Sequence, residues 1–276
     1  MHTTSHIAFL GGGNMATAII TGMIQQGGFA PSQITVVQRN AEQREFLYSR
    51  LGVNAVANLA SVSSSPDLWI LAVKPQTMKD ALLELALLLD SEQIVLSVAA
   101  GLTIETLRTW LGGHHKVVRT MPNTPPLVDQ GGTGIYAPLS IVNENEQVLI
   151  NQVLGAIGTN VWLKTEQDID AITAISGSGP AYVFYMMEHL ISAARELGFN
   201  EHDARQLVQN TFSGAVALAK TSDDDIATLR DKVTSKGGTT AAAIAVFNER
   251  GVNQALIDGA KAATARAVAM SVELSK

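Results

Sequence analysis

Two glycine-bearing stretches have residue types and spacing suited to chemistry. In the first, Gly11, Gly13 and Ala16 follow the apolar run Ile7–Leu10 and open a helix-like segment, in the pattern G-x-G-x-x-A. That spacing suits a dinucleotide. The first glycine makes a tight turn, the second lets the backbone approach a pyrophosphate, and the third small residue packs helix on strand. The pyrophosphate itself would sit at the helix N-terminus. After the second strand-like run the chain reads Gln38-Arg39-Asn40, with no carboxylate before Glu42. A carboxylate there would accept from a ribose 2′-hydroxyl, whereas a guanidinium suits a 2′-phosphate. NADPH is the expected cofactor, with NADH less favoured.

The second stretch is "VTSKGGTTAAAIAVF", Val233–Phe247. Gly237 and Gly238 precede Thr239, Thr240 and an alanine-rich helix, so backbone N–H groups are open at a helix N-terminus, where an anion is favoured. Ser235, Thr239 and Thr240 can also cap that helix. The stretch therefore reads either as a site for a small carboxylate or as a tight turn between helices with a threonine cap. A third loop, "SGSGPAY" (Ser176–Tyr182), reads as a helix start, with Ser178 as cap and Pro180 at an early helical position.

The segments that must position these residues change character midway. Up to about Lys164, short apolar runs alternate with helical stretches. The runs are Ile7–Leu10, Ile34–Gln38, Leu68–Val73, Ile94–Val98, Val117–Thr120, Thr133–Tyr136 and Val161–Leu163. Continuous apolar strands between helices imply a mainly parallel sheet covered on both faces. Three strand ends, "AVKPQ" (Ala72–Gln76), "SVAAG" (Ser97–Gly101) and "RTMPNTP" (Arg119–Pro125), fall on the rim where such folds bind ligands. After Glu166 the strand signal stops and helices follow to Leu274, with Gly198 and Gly251 as stops and Asn200 and Ser222 as caps. The expected organisation is α/β: a Rossmann-type parallel-sheet domain over 1–164, then an all-α domain over 165–276. The second half is poor in charge and rich in alanine ("AAAIAVF", "AKAATARAVAM"), so a partner subunit is expected to cover it.

Composition narrows the function. The chain has 276 residues, a net charge of −6 and no dense Lys/Arg run, which argues against nucleic acid and anionic membranes as partners. It contains no cysteine, which removes disulfides, thiolate nucleophiles and Cys-ligated zinc and fits a reducing compartment. No run approaches the roughly 18 apolar residues of a membrane span. Met1–His6 lacks the features of a signal peptide, so a cytoplasmic location is expected. No metal is expected: Glu188–His189 lacks a ligand at i+4. His114 and His115 read as solvated loop residues, and His189, Tyr182 and Tyr185 as helix packing. Asp223–Asp225 read as a helix start, with a lesser reading as a partner for a substrate cation.

Taken together, "FLGGGNMA", "AVKPQ", "SVAAG", "RTMPNTP", "SGSGPAY" and "VTSKGGTTAAAI" resemble the pyrroline-5-carboxylate reductases, in order and along essentially the whole chain. One departure is Lys236, where that family usually has proline. The resemblance implies NADPH-dependent reduction of a cyclic imino acid, 1-pyrroline-5-carboxylate, to proline. It implies cofactor contacts from Gly11, Gly12, Gly13, Asn14, Met15, Ala16, Arg39, Asn58, Ala72, Val73, Lys74, Pro75 and Ala99, with Asn123 near the nicotinamide. It implies a substrate carboxylate held by Ser235, Gly238 and Thr239, and Thr240 beside the ring nitrogen as the catalytic residue. It further implies a homodimer through the helical domain, assembling to decamers, with cofactor and substrate loop drawn from different subunits. The alternative of a β-hydroxyacid dehydrogenase needs a catalytic lysine on the first long helix of the second domain; Ala181–Leu197 contains none. A non-catalytic NADP-binding regulator would have no need of an intact "SKGGTT".

Overall fold

The structure, a computed structural model, describes residues 5–123, 131–138 and 141–275. It divides into two compact units, residues 1–178 with 263–276 and residues 179–262.

The first unit is built on one sheet of eight strands in the order β3-β2-β1-β4-β5-β6-β7-β8. The strands are β1 (Ile7–Leu10), β2 (Ile34–Val37), β3 (Asn54–Val56), β4 (Leu68–Leu71), β5 (Ile94–Ser97), β6 (Val117–Pro122), β7 (Gly131–Tyr136) and β8 (Gly158–Trp162). All pairs are parallel except β6–β7. Helices α1 (Asn14–Gln25), α2 (Ala41–Leu51), α3 (Pro75–Ala86), α4 (Ile104–Trp110) and α5 (Glu144–Gly155) cover it. Every residue of β1, β2, β4 and β5 is buried, as expected for parallel strands with helices on both faces. Alternation along β1 divides two cores. Ile7 and Phe9 join Ile19, Met23, Ile150 and Leu154 on one face, while Ala8 and Leu10 join Met78, Leu82, Leu107 and Trp110 on the other. The order β3-β2-β1-β4-β5-β6 reverses its winding between β1 and β4, which opens a crevice beyond their carboxyl ends.

Three features depart from the expected elements. β3 is a three-residue edge strand whose exposed and half-buried residues leave no apolar run to read. β6 continues to Pro122, because its end pairs antiparallel with β7 (Met121 with Gly134, Pro122 with Thr133). Beyond α6 (Asp168–Ile172), the stretch Thr173–Gly177 forms a π-turn. Ser178 consequently has helical dihedrals, φ −88° and ψ −20°, and is not an extended N-cap. The secondary-structure change near Lys164 and the edge of the compact unit do not coincide, because α6 packs on β6 and β7 and the end of α11 (Val252–Leu274) lies against Gly101.

The second unit is helical: α7 (Gly179–Glu196), α8 (Glu201–Thr221), α9 (Ile226–Lys232), α10 (Thr239–Glu249) and the first half of α11. Gly198 (φ 100°) and Gly251 (φ 68°) end helices as expected. Asn200 caps α8 by accepting from Asp203 N. Ser222 does not cap α9. Asp225 does, accepting from Thr228 N, while the Ser222 hydroxyl accepts from Asp224 N. Few side chains of this unit are buried in the single chain, and large apolar groups such as Phe184, Leu197 and Ile226 are exposed.

Candidate functional site

The crevice at the switch point has a volume of about 350 Å³. Gly11, Gly12 and Gly13 line it from the end of β1, Arg39 from the end of β2, Asn58 from beyond β3, and Ala72, Val73 and Lys74 from the end of β4. The backbone explains the glycines. Gly11 has φ 102°, and a Cβ there would lie 2.8 Å from the Ala72 carbonyl group. A Cβ on Gly12 would meet Leu47 Cδ1 at 2.7 Å, while Gly13 faces open space. Gly13 is the N-cap of α1 and no side chain caps the helix, so its first N–H groups are available to an anion. Gln43, not anticipated from sequence, anchors the loop by donating to Gly12 O at 2.7 Å. Ala16 is fully buried, as the third small residue must be. Exposed Asn14 and half-buried Met15 occupy the first turn of α1.

Around the crevice, Lys74 is the N-cap residue of α3 and Pro75 fills its first position. Asn58 caps a short 3₁₀ turn, accepting from Ser61 N and Oγ. Arg39 reaches Glu84 on α3 at 3.3 Å, and Glu84 lines the crevice with Thr77 and Ala81. None of these three was expected; positions 77, 81 and 84 share one face of a helix, a signal the sequence does carry. Ala99 is outside the crevice lining, buried in the core on that face of the sheet, its N–H donating to Ser97 Oγ.

Asn123 stands apart from those residues, at the end of β6. Its Oδ1 accepts from Gly132 N and its Nδ2 donates to Ser176 Oγ in the π-turn, both at 2.9 Å. Thr124 and Pro125 of "RTMPNTP" lie outside the described residues. Beneath Asn123, Arg119 is 2% exposed and donates to Glu166 Oε1 (3.1 Å) and Asp170 Oδ1 (3.0 Å). Glu166 Oε1 also accepts from Ile104 N at 2.8 Å. This buried ion network fastens β6, α6 and the start of α4 together, and removal of one partner from such a group costs roughly 3–5 kcal/mol.

In the second unit, the loop between α9 and α10 presents Ser235, Gly238, Thr239 and Thr240. Gly237 has φ 73°, and a Cβ on Gly238 would collide with Ser235 Oγ. The two glycines thus serve different ends: one permits a left-handed turn, the other makes room for the serine hydroxyl. Gly238 is the N-cap of α10, and no side chain caps that helix. The capping expected of Ser235, Thr239 and Thr240 is not observed: Thr239 and Thr240 are already inside the helix as its first residues, which leaves their N–H groups at its open end. Nearby, Asp224 is ion-paired with Lys232, and Asp225 is engaged as a cap, which holds its carboxyl below the usual range through hydrogen bonds from Thr228.

The histidines divide. His114 is half-buried rather than freely solvated: Nε2 meets Gln93 O at 2.8 Å, and burial pushes its pKa down. His115 is exposed. His189 is also exposed, its ring against Tyr185 at 4.2 Å between centroids. Among the described residues no group of three His, Cys, Asp or Glu could hold a metal ion, and no helix is long and apolar enough to cross a membrane.

Comparison with known proteins converges on one family. Residues 166–270 match the family model described as pyrroline-5-carboxylate reductase dimerisation, and residues 6–101 match that described as NADP oxidoreductase coenzyme F420-dependent. The chain is 39% identical over 275 residues to the pyrroline-5-carboxylate reductase of Pseudomonas aeruginosa, covering 99% of this chain and 100% of that one. The structure is similar to a pyrroline-5-carboxylate reductase from Coxiella burnetii (TM-score 0.91, 36% identity, 98% and 99% of the two chains). It is also similar to the Plasmodium falciparum enzyme solved with NADP bound (TM-score 0.85, 27% identity, 97% and 98%).

Proposed function

The chain belongs to the pyrroline-5-carboxylate reductase family, and we propose a division of its two glycine loops between cofactor and substrate. The protein is an NADPH-dependent oxidoreductase that reduces 1-pyrroline-5-carboxylate to proline. The observation that carries the assignment of NADPH to the crevice is the glycine loop itself: Gly11 admits no side chain against the Ala72 backbone, Gly12 is crowded by Leu47, and Gly13 faces open space before an uncapped helix.

When bound, NADPH supplies the hydride. The chain's own residues bind and orient. In this reading the N–H groups of Gly11 to Ala16 take the pyrophosphate, Arg39 the 2′-phosphate, and Asn58 and Ala72 to Pro75 the remaining surface, with Ala99 backing the crevice from the core. Asn123, whose side chain is already fixed by Gly132 and Ser176, offers a preset polar edge near the nicotinamide. Ser235, Gly238 and Thr239 hold the imino acid's carboxylate at the start of α10, where the helix dipole favours an anion. Thr240 orients the ring nitrogen. A neutral hydroxyl is a poor acid, but a cyclic imine is basic enough to carry its own proton, and protonation makes the C=N carbon more electrophilic. Positioning then supplies most of the rate.

The helical domain is an oligomerisation domain. We propose functional domains of residues 1–164 and 165–276, a homodimer that assembles further to a decamer, and a cytoplasmic location. Exposed apolar side chains of the helical unit and the absence of cysteine support these proposals. The test is NADPH oxidation, followed by absorbance, with 1-pyrroline-5-carboxylate, against 3-hydroxyisobutyrate in the reverse direction. Saturable oxidation with proline as product is expected. Activity with the hydroxyacid alone would overturn the reading.

A further inference from the structure

The crevice holds a charge that a phosphorylated ribose does not call for. Its lining includes two cations, Arg39 and Lys74, and one anion, Glu84. Glu84 projects from the face of α3 that also carries Thr77 and Ala81 into the lining, and its Oε1 accepts from Arg39 Nη2 at 3.3 Å. Both side chains are well exposed, 76% for Arg39 and 60% for Glu84, so the pair is solvated and easily exchanged. The neighbouring Arg44 is turned to the backbone, its Nη1 donating to the carbonyls of Gln38 and Arg39 at 2.8 and 2.7 Å.

We propose that Glu84 is a specificity-determining residue for the cofactor. It competes with a 2′-phosphate for the Arg39 guanidinium and repels that phosphate directly, which narrows the preference for NADPH. It also supplies, from across the crevice, the carboxylate that the end of β2 lacks, so that a ribose 2′-hydroxyl has an acceptor. The Arg39–Glu84 pair thus sets a ratio between the two nicotinamide cofactors. This inference rests on the reading that NADPH occupies the crevice with its 2′-phosphate at Arg39.

The test is titration of the full-length enzyme with NADPH and NADH, by fluorescence, for the wild type, Glu84→Gln, Glu84→Lys, Arg39→Ala and the Arg39→Ala/Glu84→Gln double variant. Glu84→Gln is expected to tighten NADPH by about threefold to tenfold at low ionic strength. NADH binding should stay the same or weaken. Glu84→Lys should extend the gain, and the gain should shrink in about 1 M salt, where the screening length falls to roughly 3 Å. In the Arg39→Ala background the gain should fall, since competition for the guanidinium is gone. An unchanged NADPH-to-NADH affinity ratio in Glu84→Gln would overturn the inference. If that occurs in an enzyme that oxidises NADPH with 1-pyrroline-5-carboxylate, only the role of Glu84 falls. A wild type that binds no NADPH removes the cofactor reading and this inference with it.

Discussion

The two glycine loops look alike in sequence and differ in what their glycines do. Gly11 and Gly12 lie in the interior, wedged between the Ala72 backbone and the Leu47 side chain. Their lack of side chains is demanded by packing as well as by any ligand. Gly237 is exposed and Gly238 half-buried, and a Cβ on Gly238 would meet Ser235 alone, first its hydroxyl and then, at 3.2 Å, its carbonyl oxygen. Their lack of side chains serves a left-handed turn at Gly237 and room for Ser235 beside Gly238. A glycine in a packed α/β core couples binding to folding, whereas one on a helical surface leaves the two separable.

The sharpest way to break that contrast is Gly11→Ala. Its φ of 102° and the 2.8 Å approach to Ala72 should cost roughly 2–5 kcal/mol of stability and abolish NADPH binding together. Urea unfolding and cofactor titration report both. A stable variant that has lost NADPH alone would show that the first loop, too, is separable from the core.

Gly238→Ala is the counterpart. Displacing the Ser235 hydroxyl removes one hydrogen bond to a charged carboxylate, so KM for the imino acid should rise about tenfold or more, with NADPH affinity unchanged. Stability should change by less than about 1 kcal/mol, because Gly238 has a φ of −81° that alanine adopts freely and the atom most in the way ends the side chain of an exposed serine. A large loss of stability would erase the distinction between the loops.

The smallest expected effect lies away from both loops. Burial holds the His114 pKa below its ordinary value, so folding disfavours the protonated form. The unfolded chain then binds more protons as pH falls, and stability, complete above the ordinary histidine range, declines as pH drops through it. Comparison of urea midpoints at about pH 7.5 and about pH 5 should show a steeper decline in the wild type than in His114→Gln. Equal declines would remove His114 as the cause. Neither loop's ligand affinity should differ between the two proteins at the higher pH.

Much of this arrangement was legible in the chain because its signals are local. Strands buried on both faces read as unbroken apolar runs, and a glycine turn between strand and helix declares itself within a dozen residues. The antiparallel β6–β7 pair, the edge strand β3 and the π-turn were not legible, since each depends on neighbours distant in sequence or on too few residues. Arg119 shows why. In isolation it is a charged residue in an apolar run, and only the fold brings Glu166 and Asp170 from α6 and its approach to bury it. Asn123 and Ser176 meet by the same route, and so do Arg39 and Glu84. Caps are the local signal that side-chain type alone does not decide. Ser222, Ser235, Thr239 and Thr240 all have side chains able to cap, yet Asp225 caps α9 and nothing caps α10. An uncapped start leaves the first N–H groups of α10 open, which is the arrangement the proposed carboxylate site needs.

The central claim is that the first loop holds the reagent and the second positions what it reduces. The most direct measurement is Thr240→Ala, with turnover at saturating 1-pyrroline-5-carboxylate and NADPH affinity determined on the same preparation. Turnover is expected to fall about 10²-fold, the loss typical of a misoriented reacting group, while NADPH affinity stays within about twofold. Undiminished turnover, or a parallel loss of NADPH affinity, would contradict the account.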